Sequence, residues 1–131
     1  MDRLNAWAPR ALSLLRVVTA LLFIEHGLMK LISFPAPVPG MTYPLSAMGL
    51  TAGVLETIGG GLVLVGLFIR PVAFILCGEM AIAYFMVHMK MGPWSALNYG
   101  EPAILFCWIF FYLVFAGAGS WSLDAWLPKR A

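Results

Sequence analysis

The sequence predicts an all-α integral membrane protein: a four-helix transmembrane bundle with its N- and C-termini in the cytoplasm. Three observations carry this. The chain is 62% hydrophobic and 11% charged, with a mean hydropathy of +0.90, whereas soluble domains carry about 25% charged residues. Four segments, about 11–34, 45–69, 71–89 and 102–118, approach the roughly 20 apolar residues that cross ~30 Å of hydrocarbon. Basic residues are asymmetric: Arg3, Arg10 and Arg16 start the first segment, Arg70 lies between the second and third, and Lys129 and Arg130 end the chain, against Lys30 and Lys90 on the other side. The positive-inside rule then places both termini and the 2–3 turn in the cytoplasm. At 131 residues the chain is expected to be a single domain, 1–131.

Each element has a local reason. The opening MDRLNAWAPRALSLL resembles a signal sequence, but no A-x-A site follows and the run continues through Glu25 and Lys30, so an uncleaved first helix is expected. FPAPVPGMTYP favours an extended outer loop because of its spaced prolines. In the second segment Gly49, Gly53, Glu56 and Gly60 recur at spacings of 4, 3 and 4, a small-residue stripe that lets a neighbouring backbone approach. Pro71 and Pro102 fall where a first helical turn accepts proline. GPWSALNYGEP forms the second outer loop, its Trp94 and Tyr99 suiting the aromatic belt, and residues 119–131 read as an interfacial tail with Trp121 and Trp126. The net charge of +2 is too small and dispersed for a nucleic-acid partner. The partner it does imply is the lipid bilayer.

Polar residues inside the spans carry the functional reading. The run LLFIEHGLMKLI places a carboxylate, an imidazole and an ammonium within one apolar helix. At 1.5 Å per residue, Glu25 lies about 21 Å from the cytoplasmic end and Glu56 roughly 15 Å from the outer end. Glu101 opens the fourth segment. A charge at mid-membrane costs about 2.5–3.5 kcal/mol, so these side chains are expected to face inward, either paired or protonated. His26 and Lys30 share one helix face, as do Glu25 and Met29. Glu25, His26, Lys30, Glu56 and Glu101 are therefore the candidate binding residues, with His26, Glu56 and Glu101 as candidates for proton chemistry. The competing interpretation is that intramembrane charge pairs only hold helix register. Glu79 is expected to pair structurally with Arg16. His88, nine residues from Glu79, faces the opposite side of its helix.

The motifs HG-x-x-K at His26–Lys30, E-x-x-GG at Glu56–Gly60, the turn ending at Arg70, Glu101, and the ending GAGSWSLD at Gly117–Asp124 together resemble the DoxX family, from about Leu12 to Trp126. The resemblance implies four membrane helices, the inner (plasma) membrane of a bacterium, and an association with redox complexes that include a thiosulfate:quinone oxidoreductase. It carries the family's motif positions onto His26, Gly27, Lys30, Glu56, Gly59, Gly60, Arg70, Glu101, Ser122 and Asp124. Asp124 is expected to hold Arg70 or Arg16.

The leading functional expectation is a quinone-linked oxidoreductase subunit, with quinone as cofactor and a homo-oligomer or larger membrane complex as its setting. His26 and Lys30 would bond one quinone carbonyl while Glu56 or Glu101 exchanges a proton, with Phe23, Tyr84, Phe85 and Trp108 as candidate ring contacts. No haem, flavin or metal motif is evident, so a partner or bound group would supply the redox centre. The alternative is a non-catalytic scaffold or assembly subunit. Met86, His88, Met89 and Met91 have ligand chemistry suited to Cu(I), although methionine runs usually serve packing; no metal site is expected. Haem on His26 and His88 has no second motif behind it. Cys77 and Cys107 are expected at depths roughly 10 Å apart, too far for a disulfide. A stand-alone transporter is disfavoured by four short spans without a broken-helix repeat.

Overall fold

The computed structural model describes residues 2–127; Lys129 and Arg130, expected on the cytoplasmic side, lie outside the described residues. After a helical turn at Asp2–Asn5, α1 runs Ala8–Ile32, α2 Ala47–Val65, α3 Ile69–Met86, α4 Glu101–Ala116 and the short α5 Leu123–Trp126. Strands are absent among the described residues. Three stretches, Arg3–Ile32, Ala47–Val65 and Ile69–Met91, are long and apolar enough to cross a membrane. α4 is equally apolar but has 16 residues, about 24 Å at 1.5 Å per residue.

Helix ends follow from local chemistry. α1 begins with Pro9 in its first turn and stops where Ser33 turns left-handed at φ 56°, its amide donating to the Leu28 carbonyl. Phe34, expected inside this helix, precedes Pro35, and a pre-proline residue disfavours the helical region. Ser46 caps α2 by accepting the Gly49 amide at 3.1 Å. Within α2 the stretch Leu55–Gly59 is π-helical, and the helix ends at Val65, four residues before the expected boundary, with Gly66 as its cap at φ 69°. Glycine adopts that conformation without a Cβ penalty, and a Cβ at Gly66 would also lie 2.5 Å from Ser122.

The packing is inverted relative to a water-soluble protein. Phe74 is 70% exposed and Trp108 64%, as are many other large apolar side chains, while Ser13, Arg16, Thr19 and Glu56 are buried. An aromatic cluster fixes the centre: Phe23 meets Phe110 at 4.8 Å and Phe106 at 5.1 Å, both edge-to-face. Ala20, Val63, Leu76 and Leu113 complete the contact. Apolar atoms outside and polar atoms inside suit hydrocarbon as the solvent, where every polar group must find its partner within the protein.

Arg16, only 1% exposed, joins three elements at the tail end of the bundle. Its Nε donates to the Ala118 carbonyl at 2.9 Å. Nη1 donates to the Val63 and Leu64 carbonyls and Nη2 to that of Trp121. These include two carbonyls of the last turn of α2, where a helix runs out of backbone donors; that of Val63 also accepts the Gly66 amide at 3.1 Å. The expected Arg16–Glu79 pair is therefore not formed. Arg16 lies level with the last turn of α2, whereas Glu79 is ten residues along α3 from Ile69, about 15 Å deeper.

Asp124 likewise holds neither Arg70 nor Arg16 by a hydrogen bond. Its carboxylate accepts the Phe68 and Ile69 amides at 2.8 and 2.9 Å, capping α3 where the helix dipole favours negative charge. Arg70 donates instead to the Val114 carbonyl at 2.9 Å. Ser13 Oγ accepts the Trp121 amide at 3.0 Å, adding a further tie between α1 and the tail. Arg16→Lys is expected to lower stability by about 2–4 kcal/mol, because one ammonium cannot reach four carbonyls and each buried carbonyl left unpaired costs ~1–3 kcal/mol. Thermal unfolding in mild detergent measures this; an unchanged midpoint would refute the clamp.

Candidate functional site

At the other end of α1 the glycines let two backbones touch. A Cβ on Gly53 would lie 2.9 Å from the Leu31 side chain, and one on Gly60 2.7 Å from that of Ile24. Gly27 packs against the backbone of Gly53 and Thr57 in the same way. This approach brings Lys30 Nζ to 2.6 Å from Glu56 Oε2, with side-chain exposures of 15% and 5%. Glu56 belongs to the π-helical stretch, a distortion common where helices carry function. Lys30 also reaches the His26 carbonyl at 3.4 Å and sits in the last turn of α1, where the dipole favours a cation.

Among the candidates from the sequence, the structure brings Lys30 and Glu56 into direct contact. His26 is exposed beside them, its ring meeting Phe106 of α4 edge-to-face at 5.8 Å. Glu25 and Glu101 are both exposed, and neither enters the ion pair. Phe85 and Trp108 point outward, and Phe23 belongs to the central aromatic cluster. Phe106 is the aromatic at the site, and nothing in its sequence spacing distinguished it from the other aromatic residues of α4.

Glu79 is the member missed. Both of its carboxylate oxygens are buried and have no hydrogen-bond partner among the described residues. The signal in the sequence was its midplane depth, which the expected Arg16 pair explained away.

The remaining polar groups are placed elsewhere. His88–Met91 form a 3₁₀ turn in which His88 Nδ1 lies 2.9 Å from the Asn98 carbonyl. Asn98 is fully buried. It donates to Gly92 and accepts from Gly100, both at 2.8 Å, so it organises the outer loop. Met86, Met89 and Met91 are exposed.

Cys77 and Cys107 correct the depth expectation: their sulfurs lie 3.6 Å apart, as free thiols. α3 begins at Ile69 rather than 71, which raises Cys77, and α4 is short, which lowers Cys107. A cleft of about 870 Å³ lies at the tail end, lined by Arg70, Tyr112 and Asp124 among others, and an apolar groove of about 170 Å³ runs between α2 and α3. Neither includes Lys30 or Glu56.

A helical membrane protein with a buried ion pair and an unpartnered carboxyl between its helices is the class that these features define. Residues 11–89 match DoxX, and the chain belongs to that family. It is 41% identical over 128 residues to an uncharacterized protein of Haemophilus influenzae, covering 95% of this chain and 96% of that one. It is 27% identical over 143 residues to an uncharacterized membrane protein of Mycobacterium tuberculosis, covering 98% and 88% respectively. No solved structure matches.

Removing one charge leaves the other buried without a partner, so Lys30→Met or Glu56→Met is expected to cost about 3–5 kcal/mol, whereas the double substitution recovers most of that loss. A double-mutant cycle of thermal stability in detergent reads the coupling; additive single effects would show that the pair does not interact.

Proposed function

We propose that this protein binds a quinone or quinol at the Lys30–Glu56 pair, as the membrane subunit of a quinone-linked redox complex in a bacterial inner membrane. The bundle crosses the bilayer four times, with both termini and the Gly66–Phe68 turn in the cytoplasm, as the distribution of Arg3, Arg10, Arg16 and Arg70 favours. The polar site then lies in the outer half. Lys30 donates to one carbonyl of the ring, His26 meets the head group from the bilayer side, and Glu56 and Glu79 accept quinol hydroxyls or return their protons. Glu101 and Glu25, exposed at the same end, exchange protons with water.

The single observation that carries this reading is the Glu79 carboxyl, buried without a hydrogen-bond partner among the described residues, in the same bundle that buries the Lys30–Glu56 ion pair. Two carboxylates and one ammonium do not balance. In hydrocarbon an unpartnered polar group is costly, so a proton or a ligand hydroxyl completes the set. The scaffold reading draws on the same pair from the other side, because Lys30 and Glu56 already satisfy each other at 2.6 Å.

Titration of a decyl-chain benzoquinone into protein held in lipid nanodiscs separates the two. Glu79→Gln and Glu56→Gln are expected to weaken binding about tenfold or more, the ~1.4 kcal/mol or greater that one charge-assisted hydrogen bond supplies. A folded Lys30→Met/Glu56→Met variant that binds the quinone as wild type does would sink the site. Failure of wild type to bind it, with partner proteins still copurifying, would favour the scaffold.

A further inference from the structure

Cys77 and Cys107 stand apart from the polar site and nothing above uses them. Their sulfurs are 3.6 Å apart across the α3–α4 contact, and Cys107 Sγ lies 3.5 Å from the Cys77 carbonyl oxygen, so the two backbones are already close. A disulfide needs sulfurs about 2.05 Å apart, which leaves a closure of about 1.5 Å.

Both thiols are half-buried. The residues flanking them on the outer surface, Phe74 and Gly78 beside Cys77 and Trp108 beside Cys107, are exposed. On an apolar belt that exposure is to hydrocarbon. Of a lipid-dissolved oxidant and a charged aqueous one, the former is the one that partitions into such a belt. Cys107 also adjoins Phe106, whose ring contacts His26 at 5.8 Å.

We propose that Cys77 and Cys107 are a redox-active dithiol that reduces a lipid-dissolved quinone and closes to a disulfide between α3 and α4. One sulfur adds to a ring carbon beside a quinone carbonyl, and its proton goes to the far quinone oxygen. The second sulfur attacks the first; the S–S bond forms and the C–S bond breaks. The electron pair of that bond passes to the adjacent carbonyl oxygen, which takes the second thiol proton. Two thiols become one disulfide, and the quinone gains two electrons and two protons as quinol. The proposal rests on the quinone reading above only in the class of oxidant.

The test uses the full-length protein in nanodiscs, reduced and freed of reductant, then exposed to a decyl-chain benzoquinone or to ferricyanide. Intact mass after alkylation reports free thiols, and absorbance reports quinol. Wild type is expected to form one quinol per chain, lose both alkylation sites and become two hydrogens lighter with the quinone, and to stay reduced with ferricyanide. Cys77→Ser, and Cys107→Ala as a second variant, are expected to form none. Two alkylatable thiols persisting in wild type after quinone, or cross-linked dimers in place of the internal disulfide, would overturn the dithiol. The folded Lys30→Met/Glu56→Met variant separates the two readings. Disulfide formation there, without quinone binding at the pair, keeps the dithiol and removes the polar site; quinone bound by wild type with both thiols intact does the reverse.

Discussion

One buried guanidinium organises the tail end of the molecule. Arg16 gathers carbonyls from the end of α2, from the segment after α4 and from the tail. Carbonyls buried away from water cannot be left unpaired, and a planar guanidinium with five donors is the side chain best shaped to serve several at once. Asp124 performs the complementary task for donors, accepting the two amides that open α3. Between them, a cation on carbonyls and an anion on amides close both helix ends of the 2–3 turn. The glycines at 66, 117 and 119 take positive φ values around this point because the chain must turn tightly to bring its carbonyls to Arg16.

Fixing that end sets the register of everything above it. α1 and α2 leave the clamp side by side and stay in contact through Gly27, Gly53 and Gly60, so Lys30 and Glu56 arrive level with each other. The π-helical stretch at Leu55–Gly59 locally underwinds α2 where Glu56 projects. A pair this buried contributes little net stability once both charges are desolvated. Its worth lies in holding two polar side chains together in the interior, in a bundle that also buries a carboxyl from α3.

The outer surface tells a separate story. Aromatic and branched side chains cover α3 and α4 on the side away from the core, and the polar groups turned inward are few enough to name. Function in such a protein is confined to places where hydrocarbon and polar interior meet. His26 occupies one of them, exposed at the edge of the ion pair against Phe106. The paired thiols occupy another.

Much was legible from residue order alone. Composition and the length of the apolar runs define a helical membrane protein, because covering backbone polar groups in lipid admits few alternatives. The stripe of glycines marked the face of α2 that meets α1. Counting failed where a helix began or ended away from its expected residue, as at Ile69 and Gly66, and the error passed directly into the placement of Cys77 and Cys107. It failed also for partners. Arg16 was assigned to Glu79, and Asp124 to an arginine, because opposite charges are visible in a sequence and backbone carbonyls and amides are not. The sequence by itself determined that the chain is a helical membrane protein and which helix carries each polar residue. Only the tertiary structure decided which polar groups meet, because that depends on helix rotation and on where unpaired helix-end groups fall, and neither is encoded in the identity of any one side chain.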